Sequence, residues 1–253
     1  MEDIKYILFG LLVAPLLPLM AIQGKRIRAS VPKLPPAKGA SGYIGTGKGQ
    51  VLRLITIGES TIAGIGVETH EEGFSGTLAR ALADQLGKPV VWKVYARSGY
   101  TAKRVTEKLI PQIAETDIDL IVIGLGGNDA FHLNPPWRWR RSIRDLIAAL
   151  RERFPETPIV FTNMPPIKSF PAFTPLIKRV VGSHVELLGR SLDHVTEPMP
   201  NVFYYARVIT LEDWRGVSAP PADYFSDGVH PSALTYQVWA RDVAGYVGRL
   251  GVL

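Results

Sequence analysis

Two segments of the sequence carry side chains that suit nucleophilic catalysis. Ser60 stands in GEST at positions 58–61, directly after an apolar run, and His230 follows Asp227 by three positions near the C-terminus. A carboxylate can fix the tautomer of an imidazole and stabilise its cation, so that the other ring nitrogen can accept the proton of a serine hydroxyl. Ser60, Asp227 and His230 are therefore a candidate nucleophile, orienting acid and base.

Two further positions could stabilise negative charge on a bound substrate. Gly99 follows a second apolar run, and Asn128 stands in GGND at positions 126–129 after a third. A backbone N–H and a side-chain amide are the donors that oxyanion holes use. Taken alone, Ser60 could be a helix cap, Gly99 and Asn128 could be turn residues, and His230 could be a surface histidine. Ser60, Gly99 and Asn128 each follow a predicted strand, and the Asp227–His230 pair comes after them. This order makes the catalytic interpretation the stronger one.

Alternating apolar runs and amphipathic stretches predict the elements that position these residues. Strands are predicted over Val51–Gly58, Val90–Tyr95, Ile118–Gly124, Ile159–Thr162 and Asn201–Tyr205. Helices are predicted over Phe74–Leu86, Thr101–Ile110, Trp137–Phe154, Pro175–Val195 and Ser232–Leu250. This alternation predicts an α/β fold, a three-layer α/β/α sandwich around a mostly parallel five-stranded sheet. Ligands bind such sheets at the carboxyl ends of the strands, where the candidate residues would lie.

The four motifs in this order resemble the SGNH, or GDSL-like, hydrolases over residues 51–253. The resemblance implies the flavodoxin-like SGNH hydrolase fold. It also implies a catalytic triad of Ser60, Asp227 and His230, and an oxyanion hole formed by Ser60, Gly99 and Asn128. One departure is Glu59, because the family usually has aspartate before the serine. The family's catalytic groups do not include this position, so the change concerns the geometry of the turn.

The resemblance implies a serine esterase of the lipase/esterase class that acts through an acyl-enzyme. Its substrates would be small-molecule or lipid esters, namely short-chain acyl esters or lysophospholipid-like lipids. A carbohydrate O-deacetylase with the same triad and a thioesterase are alternatives, and a membrane-tethered binding protein on an inactive hydrolase fold is the non-enzymatic one. No cofactor or metal is expected. The aromatic-containing segments 163–175 and 137–139 are candidates for lining an ester pocket.

The N-terminal segment has the composition of a membrane helix. The 19 residues between Lys5 and Lys25 carry no charge, and as a helix they would extend roughly 28 Å, close to the thickness of the hydrocarbon core. We therefore predict that residues 1–28 are a transmembrane anchor that contacts the membrane through residues 6–24, with a cleaved signal segment as the alternative. The basic residues that follow favour a cytoplasmic body, whereas cleavage would give a periplasmic or secreted one.

Charge and composition separate the N-terminal residues from the rest of the chain. Residues 1–50 carry seven basic and two acidic side chains, whereas residues 51–253 carry 22 and 21. The nearly neutral body has no field to attract a polyanion, so nucleic acid is not an expected partner. Residues 29–50 are rich in proline and glycine, which predicts a linker before a hydrolase domain over residues 51–253. The chain has no cysteine, which excludes thiolate catalysis.

Overall fold

The computed structural model describes residues 2–45, 49–207 and 221–253. The strands within these ranges are β1 (Ser41–Ile44), β2 (Leu52–Gly58), β3 (Val90–Ala96), β4 (Leu120–Gly124), β5 (Ile159–Phe161) and β6 (Val202–Tyr204). The α-helices are α1 (Glu2–Val13), α2 (Leu17–Ser30), α3 (Phe74–Leu86), α4 (Ala102–Lys108), α5 (Gly127–Phe131), α6 (Pro136–Arg151), α7 (Pro175–Thr196) and α8 (Ala233–Leu250). All ten predicted elements are present, and their ends differ from the prediction by at most three residues.

The sheet has six strands rather than the predicted five, in the order β1-β3-β2-β4-β5-β6. The additional strand β1 comes from the segment that was expected to be a linker, and it pairs antiparallel with β3, with Ser41 opposite Lys93. The other neighbouring strands are parallel, as predicted. The physical reason for the extra strand is that β3 would otherwise be an unpaired edge. Gly42 leaves room for the Trp92 ring, which a Cβ at this position would approach to 2.6 Å.

Helices cover both faces of the sheet. The chain passes from β2 through α3 to β3 and then returns across β2 through α4 to β4. Right-handed crossovers therefore place α3 on one face and α4 on the other. Helix α8 packs on α3, whereas α6 packs between α4 and α7. After β2, the chain adds β3 on one side of the sheet and then β4 on the other. In such sheets this switch point between β2 and β4 leaves a crevice at the carboxyl ends of the two strands.

The N-terminal helices form one long apolar segment. Residues Glu2–Ser30 include an apolar stretch long enough to cross a membrane, whose 18 most apolar residues have a mean hydropathy of 2.0 and are 6% buried. A 3-10 turn at Ala14–Leu16 separates α1 from α2, next to Pro15 and Pro18. Length and composition therefore fit either a membrane anchor or a signal sequence.

Candidate active site

The turn that carries Ser60 begins where β2 ends. Gly58 at the end of β2 lies opposite Gly124 at the end of β4, and Ile62 packs over both. A Cβ on Gly58 would lie 2.3 Å from the Gly124 carbonyl oxygen and 2.5 Å from Ile62 Cγ1, so a larger residue cannot be accommodated without a shift. Ser60 is half-buried, and its carbonyl oxygen accepts a hydrogen bond from the Ile65 N–H at 3.1 Å. The two glycines thus permit the tight turn that carries Ser60 at the end of β2.

The Glu59 carboxylate connects this turn to the segment after β4. It is buried and accepts hydrogen bonds from the N–H groups of Gly127 at 2.7 Å and Asn128 at 2.9 Å. The side-chain amide of Asn128 also donates to it. Burial raises the pKa of Glu59 to about 7, and the charge of Asp129 raises it too, whereas the hydrogen bonds from Gly127 and Asn128 lower it. Glu59 therefore determines where the Asn128 segment lies relative to Ser60.

The candidate oxyanion donors differ in their hydrogen bonding. Within the described ranges, the N–H groups of Ser60 and Gly99 donate no hydrogen bond to the protein. Asn128 Nδ2 donates to Glu59 and to the Tyr100 carbonyl oxygen, at 3.2 Å from the latter. The two backbone donors are therefore available to a substrate as they stand. An incoming oxyanion must share or replace one of the two partners of the Asn128 amide.

Asp129 holds two of the site segments together. Its buried carboxylate accepts a hydrogen bond from the N–H of Ala102, the first residue of α4, at 2.9 Å, and another from Asn134 Nδ2 at 2.7 Å. Burial raises the pKa of Asp129. The carboxylate ties the loop that contains Gly99 to the segment that contains Asn128.

Asp227 and His230 form the pair that their spacing predicts. His230 Nδ1 lies 2.7 Å from Asp227 Oδ2, and Asp227 Oδ1 accepts hydrogen bonds from the N–H groups of Val229 and His230. The Asp227 side chain is 0% exposed and the His230 side chain 21% exposed. Burial raises the pKa of Asp227, but its hydrogen bonds with His230 and Val229 outweigh this and hold it below its ordinary value. The carboxylate is thus a charged, buried partner for a partly exposed imidazole.

The loop that contains His230 packs directly against the turn that contains Ser60. A Cβ on Gly66 would lie 2.2 Å from Ser226 Oγ and 2.5 Å from the Pro231 carbonyl oxygen, so this glycine permits close contact. Tyr236 OH donates to the Ile65 carbonyl oxygen at 2.8 Å. On the other side of the loop, the Ala172 N–H donates to the Gly228 carbonyl oxygen at 3.1 Å. These contacts fix His230 on the same side of the sheet as Ser60.

A small apolar cavity lies beside these residues. Its volume is about 60 Å³, and Glu59 and Thr61, on either side of Ser60, form one part of its wall. The apolar part of the wall comes from Leu125, Met164, Phe170, Phe225 and Trp239. The segment 163–175 thus contributes to the wall of this cavity. Trp139 does not, because it is fully buried under α7, and its Nε1 donates to the Leu188 carbonyl oxygen at 3.0 Å.

The sequence motifs did not reveal the connecting role of Glu59. They indicated this residue only as a departure from aspartate at the turn, whereas its hydrogen-bond partners lie 68 and 69 positions away. The departure itself was the one available signal. Among the described residues, no group of three or more His, Asp or Glu side chains could hold a metal ion.

The sequence matches a known protein family over most of its length. The model of the GDSL-like lipase/acylhydrolase family matches residues 56–238. No curated protein sequence shows significant similarity to the chain.

Several solved structures share the fold. TesA is 21% identical, with a TM-score of 0.59 over 79% of this chain and 99% of its own. A family 3 carbohydrate esterase of Clostridium thermocellum is 14% identical, with a TM-score of 0.57 over 78% of this chain and 99% of its own. The psychrotrophic esterase EstA from Pseudoalteromonas sp., in a structure inhibited by monoethylphosphonate, is 17% identical, with a TM-score of 0.56 over 79% and 97%. At these identities, the similarity shows a shared fold.

Proposed function

The chain belongs to the GDSL-like lipase/acylhydrolase family, and on that premise we propose that it is a serine esterase acting through an acyl-enzyme. The family and the esterase folds that it resembles support a hydrolase acting on esters. The observation that carries the finer proposal is the Asp227–His230 pair, whose loop packs on the turn of Ser60. This arrangement supports Ser60 as nucleophile, His230 as base and Asp227 as the buried charge that orients the base.

The proposed reaction begins when His230 accepts the proton of the Ser60 hydroxyl. Ser60 Oγ attacks the ester carbonyl carbon, and the carbonyl oxygen becomes an oxyanion held by the N–H groups of Ser60 and Gly99 and by the Asn128 amide. His230 then gives the proton to the leaving alcohol as the carbon–oxygen bond breaks. His230 then takes a proton from a water molecule that attacks the acyl carbon, and it returns this proton to Ser60 Oγ as the bond between the acyl carbon and Oγ breaks and the acid leaves. Asp227 stabilises the imidazolium in both steps.

The cavity beside the nucleophile turn suits a short acyl chain. A volume of about 60 Å³ is enough for a few water molecules, because each needs only ~10–15 Å³ on this measure. Its wall is mostly apolar, so a hydrocarbon chain is a better occupant than a sugar. We therefore place the acyl group of a short-chain ester in this cavity and its alcohol part towards the open crevice.

The direct test is hydrolysis of p-nitrophenyl esters of increasing chain length by the full chain. Wild type should be most active on short esters, and Ser60→Ala should lose at least about 10³-fold in kcat, as expected for a lost nucleophile. The control Ser142→Ala, which removes a serine hydroxyl from helix α6, should retain full activity. Hydrolysis by Ser60→Ala at the wild-type rate would contradict the proposal.

A covalent probe separates the nucleophile from a merely structural serine. The EstA structure is that of the esterase inhibited by monoethylphosphonate, so a phosphonate ester is the probe of choice. We expect one adduct per chain on the peptide that contains Ser60, found by mass spectrometry, and none in Ser60→Ala. Activity confined to acetylated sugars would favour the deacetylase alternative. A chain inert to every ester, thioester and phosphonate would support the binding-protein alternative.

A further inference from the structure

Helix α1 is bound to the hydrolase domain at its first turns. Asp3 forms an ion pair with Arg140 of α6 at 2.7 Å, and Tyr6 OH donates to the Leu133 carbonyl oxygen at 2.7 Å. The Tyr6 ring packs edge-on against Trp137, with 5.5 Å between ring centroids. These contacts fix the beginning of the apolar segment on the domain surface, next to α5 and α6.

The far end of the apolar segment is bound to the same domain. In α2, Gln23 Oε1 accepts a hydrogen bond at 2.5 Å from Thr174 Oγ1, which also caps α7. Met20 and Ile27 pack against the hydrophobic core. The segment is therefore held at both ends, by Asp3 and Tyr6 on one side and by Gln23 on the other.

This attachment at both ends favours a helix that lies along the domain over one that crosses the bilayer. A spanning helix has its ends on opposite sides of a hydrocarbon core ~30 Å thick. One folded domain in the aqueous phase cannot hold both ends without itself entering that core. The contacts instead place α1 and α2 along the surface of the domain.

The outer side of the segment is a continuous apolar surface, which we call the apolar face. Leu12 is 76% exposed, whereas the next residue, Val13, is 6% exposed because it lies on the domain side. The apolar face consists of Ile4, Ile7, Leu8, Leu11, Leu12, Leu16, Leu17, Leu19 and Ile22. A single segment with one apolar side and one side bonded to protein is built to lie at an interface.

Exposed cations flank the apolar face. Lys5 lies near its beginning, and Lys25, Arg26 and Arg28 follow its end. Cations bordering an apolar surface suit the anionic headgroups of a lipid bilayer. A second copy of the chain would instead bring these like charges together, so a lipid surface is the occupant that the charges favour.

We propose that residues 2–30 form an interfacial anchor that lies in the membrane plane and places the rim of the active site on the lipid surface. Two exposed aromatic side chains, Phe131 (42% exposed) and Trp137 (44% exposed), lie near the anchor. Trp137 contacts Tyr6 of the anchor, and Phe131 ends the helix that carries Asn128. Phe131 also packs on Phe173, whose neighbour Thr174 binds the anchor. This orientation does not depend on the chemistry proposed for the site.

The depth of labelled residues in vesicles tests the proposal. Because the chain has no cysteine, variants of the full chain such as Ile4→Cys, Leu12→Cys and Leu19→Cys can each carry one fluorophore. The vesicles contain phosphatidylcholine with about 30 mol % phosphatidylglycerol, and lipid nitroxides at different depths serve as quenchers. An in-plane anchor places all three labels at similar depths, roughly 5–10 Å into the headgroup and acyl boundary. A spanning helix would separate Ile4 from Leu19 by about 22 Å along the bilayer normal.

Val13→Cys is the matched control, since it lies beside Leu12 on the protein side. Its label should be quenched by lipid several-fold less than the Leu12 label, whereas a spanning helix would expose both alike. Three outcomes would each overturn the proposal: label depths that pass through the bilayer centre, absence of quenching together with dimers in solution, or cleavage of residues 2–30 from the full chain when it is expressed in cells. Hydrolysis of a soluble ester, measured in parallel, shows whether the catalytic proposal stands on its own.

Discussion

Glu59 links two segments of the candidate site that lie far apart in sequence. It follows β2 beside Ser60, and it accepts hydrogen bonds from the N–H groups of Gly127 and Asn128. A carboxylate in this position accepts these hydrogen bonds most strongly while it is charged, and burial makes that charge costly. With a pKa of about 7, Glu59 changes its protonation within the neutral range.

The first residue-scale prediction concerns stability and pH in Glu59→Gln. The pKa of Glu59 is raised in the folded protein from 4.5 to about 7, so the unfolded chain loses this proton first as pH rises. The free energy of unfolding of wild type, relative to Glu59→Gln, should therefore fall by about 3 kcal/mol between pH 4.5 and pH 7. Urea denaturation of both proteins at pH 5 and pH 8 measures it, and a difference that is constant with pH would contradict it.

The second residue-scale prediction concerns acyl-chain length. Met164 lines the cavity and lies against Gly126, where a Cβ would approach Met164 Cε to 2.4 Å. Met164→Ala should enlarge the cavity and raise the ratio of kcat/KM for octanoate to that for acetate by about tenfold, as a few buried methylenes contribute. Met199→Ala, a methionine outside the cavity, should leave the ratio unchanged. An unchanged ratio in Met164→Ala would place the acyl group elsewhere.

At the scale of elements, β1 joins the N-terminal segment to the sheet. Just before β1, the Ala37 N–H donates to the Ala63 carbonyl oxygen at 3.0 Å and the Lys38 N–H to the Glu68 carbonyl oxygen at 2.9 Å, so this segment crosses the region that follows Ser60. β1 then covers the edge of β3 and helps to bury Trp92, which is 1% exposed. Residues 37–44 therefore support both the sheet and the segment that follows Ser60.

Removing this segment should destabilise the domain. A chain that begins at Val51 loses β1 and exposes Trp92. A chain that begins at Val31 keeps β1, so Trp92 stays buried. We expect the shorter chain to have a free energy of unfolding about 3–5 kcal/mol lower, comparable to loss of the contacts of a large core side chain. Denaturant unfolding of the two truncated chains measures the difference. Equal stability would mean that β1 contributes nothing to the fold.

Regular periodicity explains which elements the sequence predicts. Helix α3 has the predicted bounds, Phe74–Leu86, because its leucines recur on one face and Gly87 ends it in the left-handed conformation at φ 61°. β1 could not be predicted, since SGYI is short and half small residues, and its pairing depends on a strand some 50 positions away. Local pattern carries no information about such distant pairing.

Within the candidate site, local contacts could likewise be predicted from the sequence, whereas distant ones could not. The contact of Asp227 with His230 follows from a spacing of three residues and is present at 2.7 Å. The connection from Glu59 to Gly127 depends on how two strands align, so no local motif contains it. The catalytic roles of Ser60, Asp227 and His230 remain a proposal until the Ser60 variant is measured.

At the scale of the whole molecule, the positive charge is concentrated where the apolar face ends. The body over residues 51–253 is nearly neutral, and Lys25, Arg26 and Arg28 lie together in α2. Long-range attraction to an anionic surface therefore acts on this end of the molecule. It turns the apolar face towards the surface before contact.

Replacing these three cations by glutamine should weaken binding to anionic vesicles by about 100-fold at physiological ionic strength, because each contributes about 1 kcal/mol. Vesicle sedimentation at low and high salt measures this, and the loss should shrink as salt rises. Lys103, Arg104 and Lys108 of α4, replaced in the same way, provide a control with the same change in net charge. An equal loss in both triple variants would indicate a general charge effect.

The pairing of β1 with β3 also has a consequence for synthesis on the ribosome. The anchor and β1 are made first, but Ser41 has no partner until Lys93 has been made, 52 residues later. At ~5–20 residues per second, β1 lacks its partner strand for about 3–10 s, and Gln23 of the apolar segment lacks Thr174, 151 residues later, for about 8–30 s. During that longer interval the apolar segment is exposed, and a membrane or a chaperone that binds it would protect it from aggregation.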